Sequence, residues 1–291
     1  MNEQTPRRIV VLGHTGFIGR NLLAALQQAY PDSEVSGWSV QDGDVTDGEP
    51  DISLGEDCWL FHLAACKRQF GDSLESFDQN MAISGAVARW CRQDMPGRLI
   101  YFSSAAVYGV DMHNMAITET TAVVPRSYYG IAKYASECLL RKACADCPER
   151  LLILRPTTVY GPGDQGKTYG PSLFVHAAMT QEAIRLWGDC SELRDLIHLD
   201  DLVDLVVALV GEDANGVFNL ATGNSKSFAY MYDLVEQLTG RSIQATRRDR
   251  TKAKVDNGYC MDRLYGLLPD YEFVSLADGI RRMIAEIGAQ S

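Results

Sequence analysis

The chain is predicted to be α/β, a doubly wound parallel sheet with a smaller C-terminal lobe. Three observations lead there. A β-rich run near the start ends in the glycine series Gly13-His14-Thr15-Gly16-Phe17-Ile18-Gly19, and a helical pattern follows at once. Strand-like apolar runs then alternate with helical patterns, which predicts a parallel sheet covered on both faces. At 291 residues, 46% hydrophobic and 22% charged, the chain has an ordinary globular composition and can form one large domain or two coupled ones.

The first strand is expected at 7–12 and its helix to about residue 30. Between them each glycine has a task. Gly13 permits a tight turn, Gly16 lets a pyrophosphate approach the backbone, and Gly19 lets the helix lie close on the strand. The free N–H groups and positive end of that helix then face phosphates. A merely structural turn would not need three glycines in register, so the segment reads as dinucleotide-binding. Its spacing is G-x-x-G-x-x-G rather than the commoner G-x-G-x-x-G.

A second strand is expected at 34–38, and a buried strand at 57–63 leads into Ala64-Ala65. A helix at 74–94, a strand at 98–103, a helix at 127–146 and a strand at 151–155 follow. Ligands of such sheets sit beyond the carboxyl ends of the strands, which here carry Gly13, Ala64-Ala65, Ser103-Ser104 and Pro156-Thr157. After residue 160 comes loop material, 161–167, then a helix near 172–181, a strand near 184–187, a helix at 199–212 and a strand at 217–221. A helix at about 227–240, a basic loop and a final amphipathic helix ending near 287 complete the chain. The basic run Arg247-Arg248-Asp249-Arg250 reads as a solvated loop or as help in holding a phosphate.

The helix at 127–146 opens with Ser127-Tyr128-Tyr129-Gly130-Ile131-Ala132-Lys133, capped by Ser127 or a near neighbour. Tyr129 and Lys133, four apart, share a face, while Tyr128, Ile131, Ala132, Ala135, Cys138 and Leu139 are expected to bury the adjoining stripe. A phenol titrates near ~10, and a neighbouring ammonium favours the phenolate, so one helical turn supplies an acid/base with its tuning charge. Alone, the pair is equally the surface of an amphipathic helix; the surrounding motifs decide.

Net charge is -11, which argues against nucleic acid and anionic membranes as partners while leaving room for an anionic small substrate. Residues 1–6 are polar and do not form a secretion signal, and the apolar run 202–210 is interrupted by Asp204 and too short to span a bilayer. Eight scattered cysteines with a lone C-x-x-C at Cys144 and Cys147 read as reduced and structural, with no metal site, in a cytoplasmic protein.

Taken together the motifs resemble the extended short-chain dehydrogenase/reductases of the nucleotide-sugar epimerase/dehydratase/reductase type. They run in order along nearly the whole chain: the three glycines, Asp44-Val45, Leu63-Ala64-Ala65, Asn80 and Ser103-Ser104-Ala105-Ala106-Val107-Tyr108-Gly109. Tyr129-x-x-x-Lys133, Arg155-Pro156-x-x-Val159-Tyr160-Gly161-Pro162-Gly163 and Arg194-Asp195 leading to Asp201 complete them. The resemblance implies a Rossmann-like NAD(P) domain over 1–165, with 184–221 adding elements, and a substrate-binding lobe from 166–183 and 222–291. It also implies a nucleotide-sugar substrate and a homodimer in which the Tyr129 helix packs on its mate.

Residue roles follow from the same resemblance. Tyr129 is the general acid/base, Lys133 bonds the nicotinamide ribose, and Ser104 hydrogen-bonds the reacting sugar oxygen. Thr15, Phe17 and Ile18 join the glycines around the cofactor phosphates, and Asp44 and Val45 touch adenine. Leu63, Ala64, Ala65, Asn80, Ser103 and Pro156 line the cofactor channel, with Ser39 at the end of the second strand. Lys67 reaches cofactor or substrate; Ala105, Thr158 and Arg194 face substrate, Arg194 either at a diphosphate or paired with Asp195.

Three departures refine the expectation. Ser39 stands where NAD enzymes usually carry Asp, which leans the cofactor toward NADP, with NAD the alternative. Ala105-Ala106 replace the Asp-Glu pair of 4,6-dehydratases, which sets dehydration aside. Thr158 replaces a phosphate-holding Asn, which leaves a non-sugar alcohol open as substrate. The expected reaction is reduction of a 4-keto(-6-deoxy) sugar nucleotide. The alternatives are a 4-epimerase retaining NAD, a dehydrogenase of another alcohol, and a non-catalytic cofactor-binding regulator.

Overall fold

The computed structural model describes residues 5–48, 50–66, 71–109, 112–164, 169–251 and 253–290. In chain order the elements begin β1 (Arg8–Leu12), α1 (Phe17–Ala29), β2 (Glu34–Trp38), β3 (Cys58–His62), α2 (Leu74–Gln93), β4 (Arg98–Phe102) and β5 (Asn114–Ile117). They continue with α3 (Tyr128–Ala143), β6 (Leu151–Pro156), β7 (Thr158–Tyr160), α4 (Pro171–Thr180), β8 (Ile184–Trp187), β9 (Leu193–Arg194) and β10 (Leu196–His198). The last are α5 (Leu199–Gly211), β11 (Gly216–Leu220), β12 (Lys226–Ser227), α6 (Phe228–Thr239), β13 (Ala245–Arg248), β14 (Asn257–Tyr259), α7 (Asp262–Leu267) and α8 (Leu276–Gln290).

The described residues of Met1–Val110, Thr121–Pro156 and Val203–Leu220 form one compact unit, and those of Asp111–Thr120, Thr157–Leu202 and Ala221–Ser291 a second. In the first, six parallel strands make one sheet in the order β11-β6-β4-β3-β1-β2. The chain runs from β1 out to β2 at one edge and then crosses back to β3, so the winding reverses between β1 and β3. A reversal of this kind opens a crevice at the strand ends. Strands β3, β4 and β6 are buried along their whole length, which is why they read as continuous apolar runs rather than alternations. Val10, Leu60, Leu99, Tyr101 and Ile153 of the sheet pack with Val87 and Cys91 of α2 and Leu140 of α3. Arg98 on β4 reaches the end of α5 and donates to the carbonyls of Val210 (2.8 Å) and Ala214.

The second unit has its own core, where Phe174 and Val175 of α4, Met231 and Val235 of α6, and Ile280 and Met283 of α8 pack together with Leu186 of β8. Its strands pair two by two: β7 with β10, β8 with β13 and β5 with β14 in parallel, β9 with β12 antiparallel.

The expected elements of the first 160 residues are present with ends shifted by a few residues, the largest shift being α3, which stops at Ala143. Strands β5, β7, β9, β10, β12, β13 and β14 were not expected; two to four residues are too few to show a period. Half of the basic run is strand rather than loop, since Arg247 and Arg248 lie in β13, while Arg250 pairs with Glu192 and Asp189. The unit bounds also differ from the expected division, because 157–164 and 184–202 contribute to the second unit through β7, β8, β9 and β10. No helix among the described residues is long and apolar enough to cross a membrane. Among the same residues no group of three or more His, Cys, Asp or Glu is arranged to hold a metal ion.

Candidate active site

The glycine turn at the end of β1 is held by short-range geometry. Gly13 has φ +92, and a Cβ on it would lie 2.7 Å from the Ala64 nitrogen, so the tip of β1 touches the tip of β3. A Cβ on Gly19 would lie 2.3 Å from the Gly13 carbonyl oxygen, so only glycine lets α1 sit this close to its own turn. Around Gly16 there is room: an added Cβ would meet only the Gly13 oxygen, at 3.4 Å. Gly16 is the N-cap of α1, and no side chain caps the helix there. The first N–H groups of α1, from Phe17, Ile18 and Gly19, therefore meet the open side of the turn, as the pyrophosphate of a dinucleotide requires. The residues present fit such a group.

At the tip of β2, where no acidic side chain was expected, the turn after Ser39 brings one in. Asp42 Oδ2 accepts from both the Ser39 N–H and the Ser39 hydroxyl, each at 2.9 Å. Three positions of offset hid this carboxylate from a reading based on spacing. Asp44 Oδ1 is engaged by the N–H and hydroxyl of Thr46, and Val45, expected against adenine, is buried at 6% exposure.

Several of the expected cofactor residues have partners within the chain. The Asn80 amide clasps both the N–H and the carbonyl of Cys66, next to Ala64-Ala65. Ser103 turns inward and donates to Glu137 Oε1 at 2.6 Å. Ser104, by contrast, is half-buried; its oxygen accepts from the Ala106 N–H at 3.1 Å, and the hydroxyl proton remains available as a donor. Ala105 sits in the 3-10 turn that follows, and Pro156 closes β6 as a buried residue. Lys67 lies outside the described residues.

Helix α3 brings the Tyr–Lys pair to this corner. Ser127 caps it as expected, accepting from the Gly130 N–H at 3.0 Å, and Asp72 accepts from the Tyr129 N–H. A Cβ on Gly130 would come within 2.8 Å of the Ala106 carbonyl, so the first turn of α3 packs directly on the turn carrying Ser104-Ala105-Ala106. Lys133 is 4% exposed; its ammonium donates to the Phe102 carbonyl at 2.8 Å and stands 5.8 Å from the Tyr129 ring centroid. Burial pulls its pKa down to about 7, and the Glu137 carboxylate one turn on pulls partly the other way. His62, at the end of β3, is pushed down to about 3 by burial and by the Lys133 charge, so it is neutral.

The stripe expected to bury α3 is only in part the buried one: Ala132 is buried and Leu139 packs on the core of the sheet. Tyr128, Ile131 and Cys138 are exposed, and the face turned inward carries Gly130, Ala132, Lys133, Ser136, Glu137 and Leu140. The reason is a buried polar network that periodicity does not register. Arg155 of β6 grips Glu137 with two nitrogens at 2.8 and 2.7 Å, and it also donates to the Tyr108 hydroxyl at 2.8 Å. That hydroxyl donates to Asn219 of β11 at 2.7 Å. Glu137 and Arg155 were not singled out by sequence as site residues; the signal was the acidic residue one turn beyond Lys133 together with the strand-end Arg155-Pro156.

In the second unit, Thr158 opens β7 opposite Leu196. Arg194 does not pair with Asp195: its Nη1 donates to the carbonyls of Leu193 and Val255, while Asp195 accepts from the N–H and hydroxyl of Thr222.

A parallel sheet with its winding reversed at a glycine-lined helix start, a buried lysine beside a tyrosine, and a serine donor one turn away define a nucleotide-binding oxidoreductase fold of the short-chain dehydrogenase/reductase kind. Residues 9–221 match the NAD dependent epimerase/dehydratase family. An ADP-L-glycero-D-manno-heptose-6-epimerase of Alkalilimnicola ehrlichii is 30% identical over 254 residues, 77% of this chain and 78% of that protein. The protein belongs to the NAD dependent epimerase/dehydratase family. Solved structures share its fold: the UDP-glucuronic acid 4-epimerase of Bacillus cereus, in complex with UDP-glucuronic acid and NAD, has a TM-score of 0.83 at 21% identity, covering 98% of this chain and 100% of that one. An NAD dependent NDP-hexosamine 5,6-dehydratase of tunicamycin biosynthesis has a TM-score of 0.85 at 22% identity, covering 98% of each chain.

Proposed function

We propose that this protein is a nucleotide-sugar epimerase that inverts one carbinol centre of its substrate by oxidation and re-reduction. The observation that carries the reading is the corner where the turn after Ser104 packs on the turn bearing Tyr129, above a buried Lys133. Bound nicotinamide supplies a hydride acceptor and donor. Tyr129 takes the proton of the sugar hydroxyl as the carbon loses hydride, and returns it when hydride comes back to the other face of the carbonyl. Ser104 donates a hydrogen bond from its hydroxyl to the same oxygen as charge shifts there, keeping its own proton. Lys133, held by the Phe102 carbonyl, supplies the positive charge that favours the tyrosinate.

Two considerations favour epimerisation over the ketoreduction expected from sequence. The expectation of ketoreduction rested on the missing carboxylate at the tip of β2 and on the short connection from there to Asp44; the first ground is weakened because Asp42 folds back beside Ser39. A relative that aligns with 77% of this chain at 30% identity bears the name of an epimerase. Dehydration is set aside because Ala105-Ala106 provide neither acid nor base. Of the cofactor residues, those of the glycine turn and the start of α1 would hold the pyrophosphate.

The test is to incubate the purified protein with a panel of ADP-, UDP- and dTDP-sugars and follow the sugar protons by NMR. The expected result is inversion of one centre with no net consumption of NAD(P)H. Stoichiometric oxidation of NAD(P)H with a keto-sugar would instead establish the reductase reading. Tyr129→Phe should lower turnover by roughly 10²–10⁴-fold while cofactor affinity stays within about twofold.

A further inference from the structure

We propose that the buried ion pair of Glu137 and Arg155 is a positioning device, which pins both ends of the turn carrying Ser104 and so aims the Ser104 hydroxyl at the reacting oxygen. The inference rests on the reading of Ser104 as the donor to that oxygen. It gives Ser103, Tyr108, Glu137 and Arg155 a part in the rate of the reaction, exerted through Ser104.

The turn runs from Ala105 to Tyr108, with Ser104 as its cap. At its front, Ser103 immediately precedes Ser104, and the Ser103 hydroxyl donates to Glu137 Oε1 at 2.6 Å. At its back, the Tyr108 hydroxyl accepts from Arg155 Nη1 at 2.8 Å and donates to Asn219 Oδ1 at 2.7 Å. Between these ends Arg155 Nε and Nη2 hold the two oxygens of Glu137 at 2.8 and 2.7 Å. One carboxylate–guanidinium pair therefore joins the residue before the turn to the residue that ends it. The guanidinium also lies 4.9 Å from the centroid of the Tyr108 ring, so the ring as well as its hydroxyl is held. All five side chains are buried.

The bonds inside the turn are near the long end of the ordinary range. The Ala106 N–H donates to the Ser104 hydroxyl oxygen at 3.1 Å, and the Val107 and Gly109 N–H groups donate to the Ser104 and Ala106 carbonyls at 3.2 Å. The bonds at its ends are shorter and run through charged groups, so they fix where the turn sits. A buried ion pair adds little net stability over apolar packing of the same volume; what it adds here is direction. Because the Ser104 oxygen is tied to the Ala106 N–H, any tilt of the turn moves the donor with it. A displacement of roughly 1 Å at a reacting group can cost on the order of 10²-fold in rate. The same face of α3 holds the neighbouring backbone, since Lys133 donates to the Phe102 carbonyl and Gly130 packs on the Ala106 carbonyl. The helix that carries Tyr129 thus fixes the Ser104 donor relative to its own acid/base.

The test uses the full-length protein with Ser103→Ala and Tyr108→Phe, each of which releases one end of the turn and keeps both partners of the ion pair. Ser104→Ala and the double variant Ser103→Ala/Ser104→Ala complete the set. Amide hydrogen exchange needs no substrate: exchange at Ala106, Val107 and Gly109 should quicken by about tenfold in both end variants, with β4 and β6 as in the wild type. Turnover is followed by NMR on whichever ADP-, UDP- or dTDP-sugar the protein inverts. Each end variant should lower kcat by about tenfold and leave KM within about twofold. In the Ser104→Ala background, Ser103→Ala should cost less than about twofold, because the donor it positions is already gone; a loss of packing alone would cost the same in both backgrounds. Wild-type exchange at the three amides, wild-type kcat despite faster exchange, or equal losses in both backgrounds would overturn the positioning role and leave Ser104 as the donor. Wild-type turnover by Ser104→Ala, or no turnover of these sugars by the wild type, would overturn the donor reading and the positioning role together.

Discussion

Lys133 illustrates how much of this site depends on where one charge is placed. An ammonium that is 4% exposed sits against a carbonyl and two aromatic rings, with Tyr101 5.1 Å and Tyr129 5.8 Å from its nitrogen. The groups that face it are Glu137 and Tyr129 on its own helix, Tyr101 on β4 and the neutral His62 on β3. Burial lowers its folded pKa to about 7, below the value of an exposed lysine, so between these two values the unfolded chain binds a proton that the folded chain does not. Stability from this group is therefore complete above the ordinary lysine range and is lost as pH falls toward 7. Urea unfolding of wild type and Lys133→Met across pH 6.5 to 10, on the order of this window, should show the wild type gaining stability relative to the variant as pH rises. A parallel pair of curves would contradict the placement of the charge. The Tyr–Lys spacing was legible in the sequence, but the tuning of the lysine was not, since it depends on strands β3 and β4 arriving beside the helix.

At the scale of elements, α3 departs furthest from its sequence pattern. Its apolar positions Tyr128 and Ile131 face outward, and its inward face carries Lys133, Ser136 and Glu137. Such a helix is stable because each buried polar group has a partner: Ser136 donates to the Ala132 carbonyl, and Glu137 is met by Ser103, Arg141 and Arg155. Glu137→Ala should therefore cost about 3–5 kcal/mol, because it leaves the buried Arg155 guanidinium without its counter-charge. Glu137→Gln, which keeps hydrogen-bonding capacity, should cost less; chemical denaturation of both variants measures the difference. Equal stability of Glu137→Ala and wild type would show that the network contributes little. The same element shows why the stripe misled: periodicity detects apolar faces, and this interface is polar but satisfied. The glycine motif, by contrast, was legible, because the positive φ at Gly13 and the close approach of Gly19 to Gly13 are local demands, although the contact of Gly13 with Ala64 is a tertiary one.

At the scale of the whole molecule, each unit is assembled from three separate stretches of chain. The edge strand β11 of the six-stranded sheet comes from residues 216–220, far beyond the segment that supplies the other five strands. A polypeptide ending at residue 165 would lack β11 and leave β6 as an exposed edge. It would also lose the Val210 and Ala214 carbonyls bound by Arg98 and the Asn219 partner of Tyr108. It is expected to give no cooperative thermal transition and to precipitate, whereas the full chain unfolds cooperatively; circular dichroism on both decides. A sharp transition in the shorter chain would show that the first five strands suffice.

The sequence by itself determined the class of fold, the dinucleotide turn and the Tyr129-Lys133 pair. Each of these rests on residues close together in the chain: strand periodicity, glycines three apart, side chains one helical turn apart. Only the tertiary structure decided the carboxylate at the tip of β2, the inward face of α3 and the composition of the two units. Those depend on a turn that returns Asp42 to Ser39, on Ser103 beyond β4, Glu137 of α3 and Arg155 of β6 meeting in one buried cluster, and on a distant strand completing the sheet. Such meetings are set by packing, and spacing along the chain carries no record of them.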